Sequence, residues 1–278
     1  MRLALLLLAF AAEAFSQTTP SIATGGVLNG ASFDKTGQPV APGSLISIFG
    51  TNLSAATLSA DSIPLSTSLS GVTVTFNGIA APLKDVVHQP ATFDQINAQV
   101  PWELESIVPQ AVGATANAKV VVTLNGVASA PATAAIGAAA PGIFTFPGGL
   151  GQAVAYGNLD GAIAAPTSAG LPFPSHPAKI GDPATLVILA TGLGPVSNTP
   201  ATGGIPAPGV LSSTLTMPTV LVGNVPAQVV FSGLSQYVGV YQINIVIAPG
   251  TPTGDAVSLQ IQMNGVTSRS DVTIAVTQ

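Results

Sequence analysis

The stretch "FDQINAQVPWEL", residues 93–104, carries the side chains best suited to chemistry. Asp94 and Glu103 lie near its two ends, and Trp102, the only tryptophan of the chain, precedes Glu103. Two carboxylic acids are the groups that glycoside cleavage uses. Apolar and polar side chains alternate between these acids, however, which predicts a strand with one acid at each end. Acids separated in this way do not cooperate, so the pattern favours a strand over an active site.

The two histidines, His88 and His176, give little support for a metal centre. Neither has a glutamate or a second histidine three or four residues further on, a spacing that metal sites often use. The chain has no cysteine, so thiolate ligands, a thiol nucleophile and disulfides are excluded. A zinc site built from one histidine and remote carboxylates is the alternative to the simpler interpretation, which is two solvated loop histidines.

Other catalytic motifs are incomplete. Ser235 in "SGLSQYVG" lacks the closing glycine of a nucleophile elbow. The glycine pairs at 149–151 and 192–194 lack the later glycine of a dinucleotide site. Residues 158–161, "NLDG", lack the remaining ligands of a calcium loop and are better explained as a hairpin turn. We therefore expect a protein that is not an enzyme and has no cofactor, with a hydrolase hidden among loops as a less favoured alternative.

Composition narrows the class of protein further. Of 278 residues, 47% are hydrophobic and only 6% are charged, while 30 glycines and 24 prolines favour many short strands joined by turns. Six basic residues and a net charge of -5 offer no basic surface for nucleic acid. No apolar run approaches the roughly 20 residues of a membrane-spanning helix, so we expect no transmembrane span in the mature chain.

The N-terminus, "MRLALLLLAFAAEAFSQTTP", has the form of a secretory signal peptide. Arg2 precedes an apolar run over residues 3–12, and small residues follow. We predict a signal peptide at 1–16, cleaved before Gln17, and therefore a protein that is secreted or extracytoplasmic, in the periplasm, on the outer surface or in the medium. An uncleaved anchor is the alternative, although the apolar run covers only about half a bilayer.

The same unit occurs twice in the chain. "DQINAQVP" at 94–101 corresponds to "YQINIVIAP" at 241–249, and "TLNGVASAP" in the first half corresponds to "QMNGVTS" in the second. The second copy has Tyr241 where the first has Asp94, and it has no counterpart of Glu103. Because the acids are missing from the copy while the alternation persists, the shared feature is a half-buried strand.

Strand and turn signals predict the fold class. Asn-Gly dipeptides at 77–78, 125–126 and 264–265 are suited to two-residue hairpins. No segment after the signal peptide shows a helical stripe of apolar residues. The prediction is an all-β chain with two tandem immunoglobulin-like antiparallel β-sandwich domains. We place the first domain at 17–140, a linker at 141–149 and the second domain at 150–278, because Pro and Gly flank an apolar patch at the linker.

A family resemblance rests on segments that occur in order along the chain. They are "VLNGASFDKTGQPVAPGSLISIFGTNLS", "GVTVTFNGIAAPL", "QINAQVPWEL", "NGVASAPATAAIGAAAPGIFT", "GQAVAYGNLDGAIAAP", "ATGLGPV", "VGVYQINIVIAPG" and "NGVTS". Over residues 25–278 the chain resembles the Solibacter-type uncharacterised C-terminal domain family, and more distantly the IPT/TIG immunoglobulin-like fold. The resemblance implies an exported bacterial protein and assigns no catalytic residue.

The favoured function is an exported interaction or adhesion module that binds a protein or glycan at the cell surface through loops at the ends of the sandwiches, or through an exposed sheet face. Its candidate ligand contacts are the aromatic residues Trp102, Tyr237 and Tyr241. For Trp102, a core anchor and an interdomain contact are the alternatives to a ring on which a ligand stacks. The alternative function is a structural spacer or assembly unit of the cell surface, with self-association between copies.

Overall fold

The structure is a computed structural model that describes residues 18–90, 92–182 and 184–278. The predicted signal peptide, residues 1–16, and its cleavage site lie outside these residues. Regular structure in the described chain is nearly all β, and the helices there are short 3-10 turns at Trp102–Ile107 and Thr167–Ala169. The predicted all-β class is confirmed. No helix in the described ranges is long and apolar enough to cross a membrane.

The first half folds into two sheets around one core. Its strands are β1 (Ser21–Asn29), β2 (Leu45–Thr51), β3 (Leu58–Ser59), β4 (Ser68–Leu69), β5 (Val72–Phe76), β6 (Ile79–Ala81), β7 (Leu83–Val87), β8 (Asp94–Gln99), β9 (Thr115–Leu124), β10 (Val127–Ala128) and β11 (Ala132–Gly137). One sheet has the order β1-β2-β8-β7-β3, and the other has β10-β9-β5-β4 with β6 and β11 attached. Apolar side chains of both sheets form a buried cluster between them, as in a sandwich.

The second half repeats this arrangement. Its strands are β12 (Gly142–Ile143), β13 (Thr145–Pro147), β14 (Gly151–Ala153), β15 (Ala155–Gly157), β16 (Ala178–Lys179), β17 (Leu186–Thr191), β18 (Thr219–Val222), β19 (Val225–Pro226), β20 (Gln228–Leu234), β21 (Tyr241–Val246), β22 (Gly254–Met263), β23 (Val266–Thr267) and β24 (Val272–Thr277). One sheet has the order β12-β17-β21-β20 with β15 on β17. The other follows β13-β14-β24-β22-β18-β19, with β14 and β16 parallel to β24. The described chain therefore forms two successive β-sandwiches built mainly from antiparallel strands, each around its own core cluster.

Alternation along the strands sets which side chains enter the cores. In β8, Ile96 and Ala98 are fully buried while Gln95 and Asn97 face outwards and are half-buried, as the period-two pattern predicts. Gln99 differs from that pattern, because it is buried although its parity places it on the outer face. Its amide donates to the Gly43 carbonyl and accepts the Gly203 N–H, so a loop of the second half covers it.

The predicted Asn-Gly hairpins are present at all three positions, where they connect β5 to β6, β9 to β10 and β22 to β23. Both residues of each turn have positive φ, for example 48° at Asn125 and 85° at Gly126. Such turns match the right-handed twist of the flanking strands. The order is reversed at 223–224, where Gly and Asn with φ of 57° and 66° connect β18 to β19.

The connection between the sandwiches is shorter than the sequence indicates. The segment predicted as a linker, 141–149, contains β12 and β13, which pair with β17 and β14 of the second sandwich. Only the residues between Gly137 and Gly142 connect β11 to β12. Within them, Ala140 accepts a hydrogen bond from the Asn29 amide at 2.8 Å and donates its own N–H to Gly192 at 2.8 Å. Both halves therefore hold this short connection.

Candidate functional site

Trp102 lies in the interior between the two sandwiches. The 3-10 helix after β8 carries the ring into the apolar core of the second half, where it is only 6% exposed. Gly43 makes room for the indole, because a Cβ at that residue would lie 2.1 Å from the ring. The Trp102 backbone N–H also donates to the Thr202 hydroxyl at 3.1 Å. Trp102 is thus both a core residue and an interdomain contact, and a ligand cannot stack on it.

Tyr241 is also removed from the candidate ligand contacts by its position. It starts β21, is fully buried and donates its hydroxyl hydrogen to the Gly194 carbonyl at 2.6 Å. Burial raises the pKa of this hydroxyl strongly, and the Glu105 carboxylate raises it further. Tyr241 therefore serves as a neutral, buried donor that fixes the loop at Gly194.

Tyr237 is the exposed member of the three predicted aromatic contacts, with 56% of its surface accessible. It lies in the loop between β20 and β21. The Ser235 hydroxyl accepts the Tyr237 backbone N–H at 3.1 Å and donates to the Val240 carbonyl at 2.9 Å. Because these bonds close the loop on itself, the ring is presented on a defined backbone. The same bonds occupy the Ser235 hydroxyl.

Two cavities share Tyr237 and Leu189 in their walls. One has a volume of about 870 Å³ and lies between the sandwiches, and its walls include Leu45, Ile63, Leu65, Lys84 and Asp85 from the first half and Phe144, Phe146, Val154 and Val240 from the second. The other, about 500 Å³, lies on the outer face of the sheet that contains β21, beside Tyr156, Phe231, Gln236, Gln242 and Asn244. We call the two cavities together the Tyr237 groove. Their volumes are in the range of small-molecule sites.

Strand register arranges the outer sheet face beneath the groove. Asn244 lies between Val187 of β17 and Phe231 of β20, and Tyr156 of β15 extends the same row. Residues paired in this way share one face of the sheet. The Phe231 ring folds over Gly233, where a Cβ would come within 2.8 Å of it. The row therefore contains one amide beside aromatic side chains, while Val187 within it is buried.

The polar groups of the groove are mostly uncharged. Gln242 donates its amide to the Asn244 carbonyl oxygen at 2.7 Å, which fixes both side chains. Burial raises the pKa of Tyr156, and the neighbouring Tyr237 hydroxyl raises it further, so the Tyr156 hydroxyl is protonated at neutral pH. Sequence reasoning treated the polar residues of β21 as a solvent face and missed their position in a groove. The triplet Gln-Ile-Asn occurs at 95–97 and again at 242–244, and the different residues around the second copy were the sequence signal that its amides have other surroundings.

Charge in the interdomain cavity is largely paired. Lys84 Nζ lies 2.7 Å from Asp85 Oδ2. Burial alone would raise the pKa of Asp85, but hydrogen bonds from Lys84, Ser59 and Asn97 and the charge of Lys84 outweigh it, and the pKa is lowered. The carboxylate therefore stays ionised beside its lysine. Asp61 is the other acidic residue in the wall, and it is exposed.

Both histidines make contacts that the sequence did not predict. His88 Nδ1 lies 2.9 Å from Asp94, and His176 Nε2 lies 2.7 Å from Asp160. The Pro177 carbonyl and the Asp160 carboxylate raise the pKa of His176. In the described ranges no group of three or more His, Asp or Glu side chains converges as a metal site would require. The histidines and aspartates form pairs, each of which holds loop segments together.

Asp94, the acid of the opening motif, is a structural acceptor. It is only 3% exposed and accepts the backbone N–H groups of Leu53 at 2.8 Å and Gln89 at 3.0 Å. Glu103, at the other end of the motif, accepts the Thr202 hydroxyl at 2.8 Å and is exposed. The two acids have separate partners: Asp94 begins β8 and Glu103 lies in the 3-10 helix that follows it, as the strand interpretation predicts.

No family model matches the chain, and no curated protein matches it. The resemblances to the Solibacter-type family and to the IPT/TIG fold therefore stay predictions. Comparison with solved structures finds proteins that have low sequence identity and low structural similarity to this chain.

One is SGBP-B of the Bacteroides ovatus mixed-linkage glucan utilization locus, in complex with a mixed-linkage heptasaccharide (9% identity, TM-score 0.33, 87% of this chain and 43% of that chain). Another is FdeC, an Escherichia coli adhesin (12%, TM-score 0.24, 87% and 62%). A third is the S-layer protein SbsC, domains 5–6 (14%, TM-score 0.22, 93% and 100%). The chain spans less than half of the first of these proteins. Similarity at this level assigns no ligand.

Proposed function

We propose that the protein is an exported, non-catalytic binding module that holds a protein or glycan ligand in the Tyr237 groove. The observation that carries the proposal is the exposed Tyr237 ring, which borders two adjoining cavities of about 870 Å³ and 500 Å³. An amphipathic aromatic ring with few rotatable bonds offers contact area at low entropic cost. The predicted signal peptide supports the assignment to the cell exterior.

Contacts across the sandwiches hold the groove in shape. The Thr191 hydroxyl accepts the Leu45 backbone N–H at 2.9 Å and donates to the Gly239 carbonyl at 2.7 Å. This one buried hydroxyl therefore ties the Tyr237 loop to both halves of the chain. A preformed site loses less conformational entropy on binding, which favours recognition.

The proposal of a non-catalytic module is supported by how the polar groups near the groove are used. Ser235 is hydrogen-bonded within its loop, and Lys84 and Asp85 are paired with each other. Neither histidine lies in the walls of the groove. A nucleophile with an adjacent base, or two carboxylates facing one space, would be expected of a hydrolase.

The test is binding of the mature protein to a glycan array and in a cell-envelope pull-down, with Tyr237→Ala and Leu159→Ala compared. Leu159 is 83% exposed and lies outside the groove, so its variant is the matched control. We expect Tyr237→Ala to lose a partner that the wild type and Leu159→Ala retain. Equal capture by all three proteins, or none by the wild type, would contradict the proposal.

A structural spacer is the second candidate, because Trp102 inserts into the neighbouring core and the connection between the halves is short. Such a unit keeps a fixed length between the components it joins. Sedimentation velocity at increasing protein concentration tests this alternative: reversible association of a chain that binds no partner favours the spacer.

A further inference from the structure

We infer that the ligand of the Tyr237 groove is an uncharged carbohydrate chain, whose hydroxyl groups bond to Gln242 and Asn244 while a sugar ring lies against Tyr237. The inference rests on the proposed function and narrows its ligand class. It is carried by unpaired amide groups, by aromatic neighbours and by the absence of charge from the walls of the cavity on the sheet face.

The amide groups have hydrogen-bonding capacity to spare. The hydrogen bond from Gln242 Nε2 to Asn244 Oδ1 fixes the orientation of both side-chain amides. It leaves the Asn244 Nδ2 hydrogens and the Gln242 Oε1 atom without a partner among the described residues. A sugar hydroxyl both donates and accepts, so it can satisfy a free amide N–H and a free amide oxygen at once. Groups held in position by each other lose little entropy when they bind.

The neighbours of these amides suit the other surface of a sugar ring. Asn244 lies beside Phe231 in the sheet, and Tyr156 and Tyr237 line the same cavity wall, whereas Val187 on its other side is buried. The C–H face of a pyranose is apolar and packs on aromatic rings, while its rim carries the hydroxyls. A surface that mixes aromatic rings with fixed amides is complementary to both parts.

Charge complementarity argues against an anionic ligand. The walls of the cavity on the sheet face contain no Asp, Glu, Lys or Arg among the described residues. Lys84, in the adjoining cavity, is already paired with Asp85 at 2.7 Å. An anionic chain would lose hydration there without gaining a cationic partner, which is unfavourable.

Backbone pairing argues against an extended peptide. β21, which carries both amides, is paired with β17 on one side and β20 on the other. The face above it therefore offers side chains and no free ladder of N–H and C=O groups. Peptides that bind sheets in extended form use such a free edge.

The experiment is isothermal titration of the mature protein with linear hexasaccharides of β-1,4-glucose, β-1,4-xylose, β-1,4-mannose and α-1,4-glucose, together with hexagalacturonate and a set of neutral decapeptides. The variants are Tyr237→Ala, Asn244→Ala and the isosteric Asn244→Asp, which removes the amide donors. Gln262→Ala is the control, because Gln262 is an exposed amide of the second sandwich that lies outside both cavities. Thermal melts establish that each variant is folded.

We expect at least one neutral hexasaccharide to bind, with affinity about five- to tenfold weaker in both Asn244 variants and unchanged in Gln262→Ala. If hexagalacturonate or a peptide binds and the Tyr237→Ala variant loses that binding, the inference of a neutral sugar ligand is overturned, while the proposal that the groove binds a ligand is supported. Neutral sugar binding that is unaffected in the Tyr237 and Asn244 variants would place it elsewhere and overturn the inference. Binding of no probe also overturns it, and the envelope pull-down then decides the proposed function separately.

Discussion

The two sandwiches contain the same amide pair in different surroundings. Gln95 donates to Asn97, and Gln242 donates to Asn244, each at 2.7 Å. Asn97 lies opposite Ser47 and Asp85 on the neighbouring strands. The Ser47 hydroxyl donates to the Asn97 oxygen at 2.7 Å, and the Asn97 amide donates to the Asp85 carboxylate at 3.3 Å. Asn244 instead lies between Val187 and Phe231. Neighbours on adjacent strands, and not the repeated motif, decide whether an amide is free to bind a ligand.

The residue that precedes the Gln-Ile-Asn motif also differs between the two copies. Asp94 of the first copy and Tyr241 of the second are both buried. Asp94 accepts backbone N–H groups, whereas Tyr241 donates to a backbone carbonyl at 2.6 Å. Opposite hydrogen-bonding chemistry thus performs the same task of fixing a loop. Neither residue is available for catalysis or ligand contact.

The largest expected effect tests whether the two copies share one strand register. Ile96 and Ile243 are both fully buried, so an aspartate at either position places an unpaired charge in a core. We expect Ile96→Asp and Ile243→Asp each to lower the free energy of unfolding by at least about 5 kcal/mol. Gln262→Asp, on the exposed face of β22, should change it by less than about 0.5 kcal/mol. Equal thermal melts for the three variants would refute the register.

The next effect tests the asymmetry of the two cores. Trp102→Ala removes a ring that the second core receives from the first half, and we expect a loss of about 4 kcal/mol in unfolding free energy. Trp102→Phe keeps most of the volume and should lose less. Urea unfolding followed by circular dichroism measures both. A loss below about 1 kcal/mol for the alanine variant would contradict a shared core.

A smaller change in unfolding free energy is expected when the buried hydrogen-bonding groups of Asp94 and Tyr241 are removed. Burial alone would raise the pKa of Asp94, but backbone N–H groups of Gln89, Ser54 and Leu53 and the His88 ring outweigh it, and the pKa is lowered. We expect Asp94→Asn to lose about 2 kcal/mol at neutral pH, and Tyr241→Phe about 1 kcal/mol.

The pH dependence of that comparison has a definite sign. A carboxyl with a lowered folded-state pKa stabilises the fold above its unfolded pKa and stops doing so as pH falls through the folded value. The difference in melting temperature between wild type and Asp94→Asn should therefore shrink as the pH falls below about 4, the ordinary carboxyl range, and towards the lowered folded-state pKa. A difference that stays constant over this range would show that Asp94 does not act through its charge.

The smallest effect tests the amide pairs directly. Asn97→Ala removes three hydrogen bonds, those that Ser47 and Gln95 donate to the Asn97 oxygen and the one that the Asn97 amide donates to Asp85, and we expect a loss of about 1 kcal/mol. Asn244→Ala breaks one hydrogen bond on a half-exposed face and should lose less than about 0.5 kcal/mol. Denaturant midpoints of the two variants give the comparison. The reverse order would mean that the Asn244 amide is structural.

Sequence reasoning predicted the features that local physics controls. Alternation along β8 and β22 and the turns at Asn125 and Asn264 follow from strand period and from the residues that tolerate positive φ. Long-range contacts were less accessible. Gln99 is buried by a loop more than a hundred residues away, and Trp102 enters a core built from the other half.

The candidate site was predicted only in part for the same reason. Tyr237 and Tyr241 are close in sequence and similar in type, yet one is exposed and the other is fully buried. The parity of β21 places Tyr241 inside, which the alternation of Ile243 and Ile245 already indicates. The groove itself requires both halves of the chain, since residues such as Leu45 and Val240 meet only in the folded protein.

The indole of Trp102 also makes the two sandwiches depend on each other. A gene fragment that encoded only the second copy would produce a sandwich with a ring-sized void, because its core lacks Trp102. A fragment that encoded only the first would expose the same indole to water. Each sandwich therefore depends on the other: the first supplies the indole that fills the second core, and the second shields that indole from water.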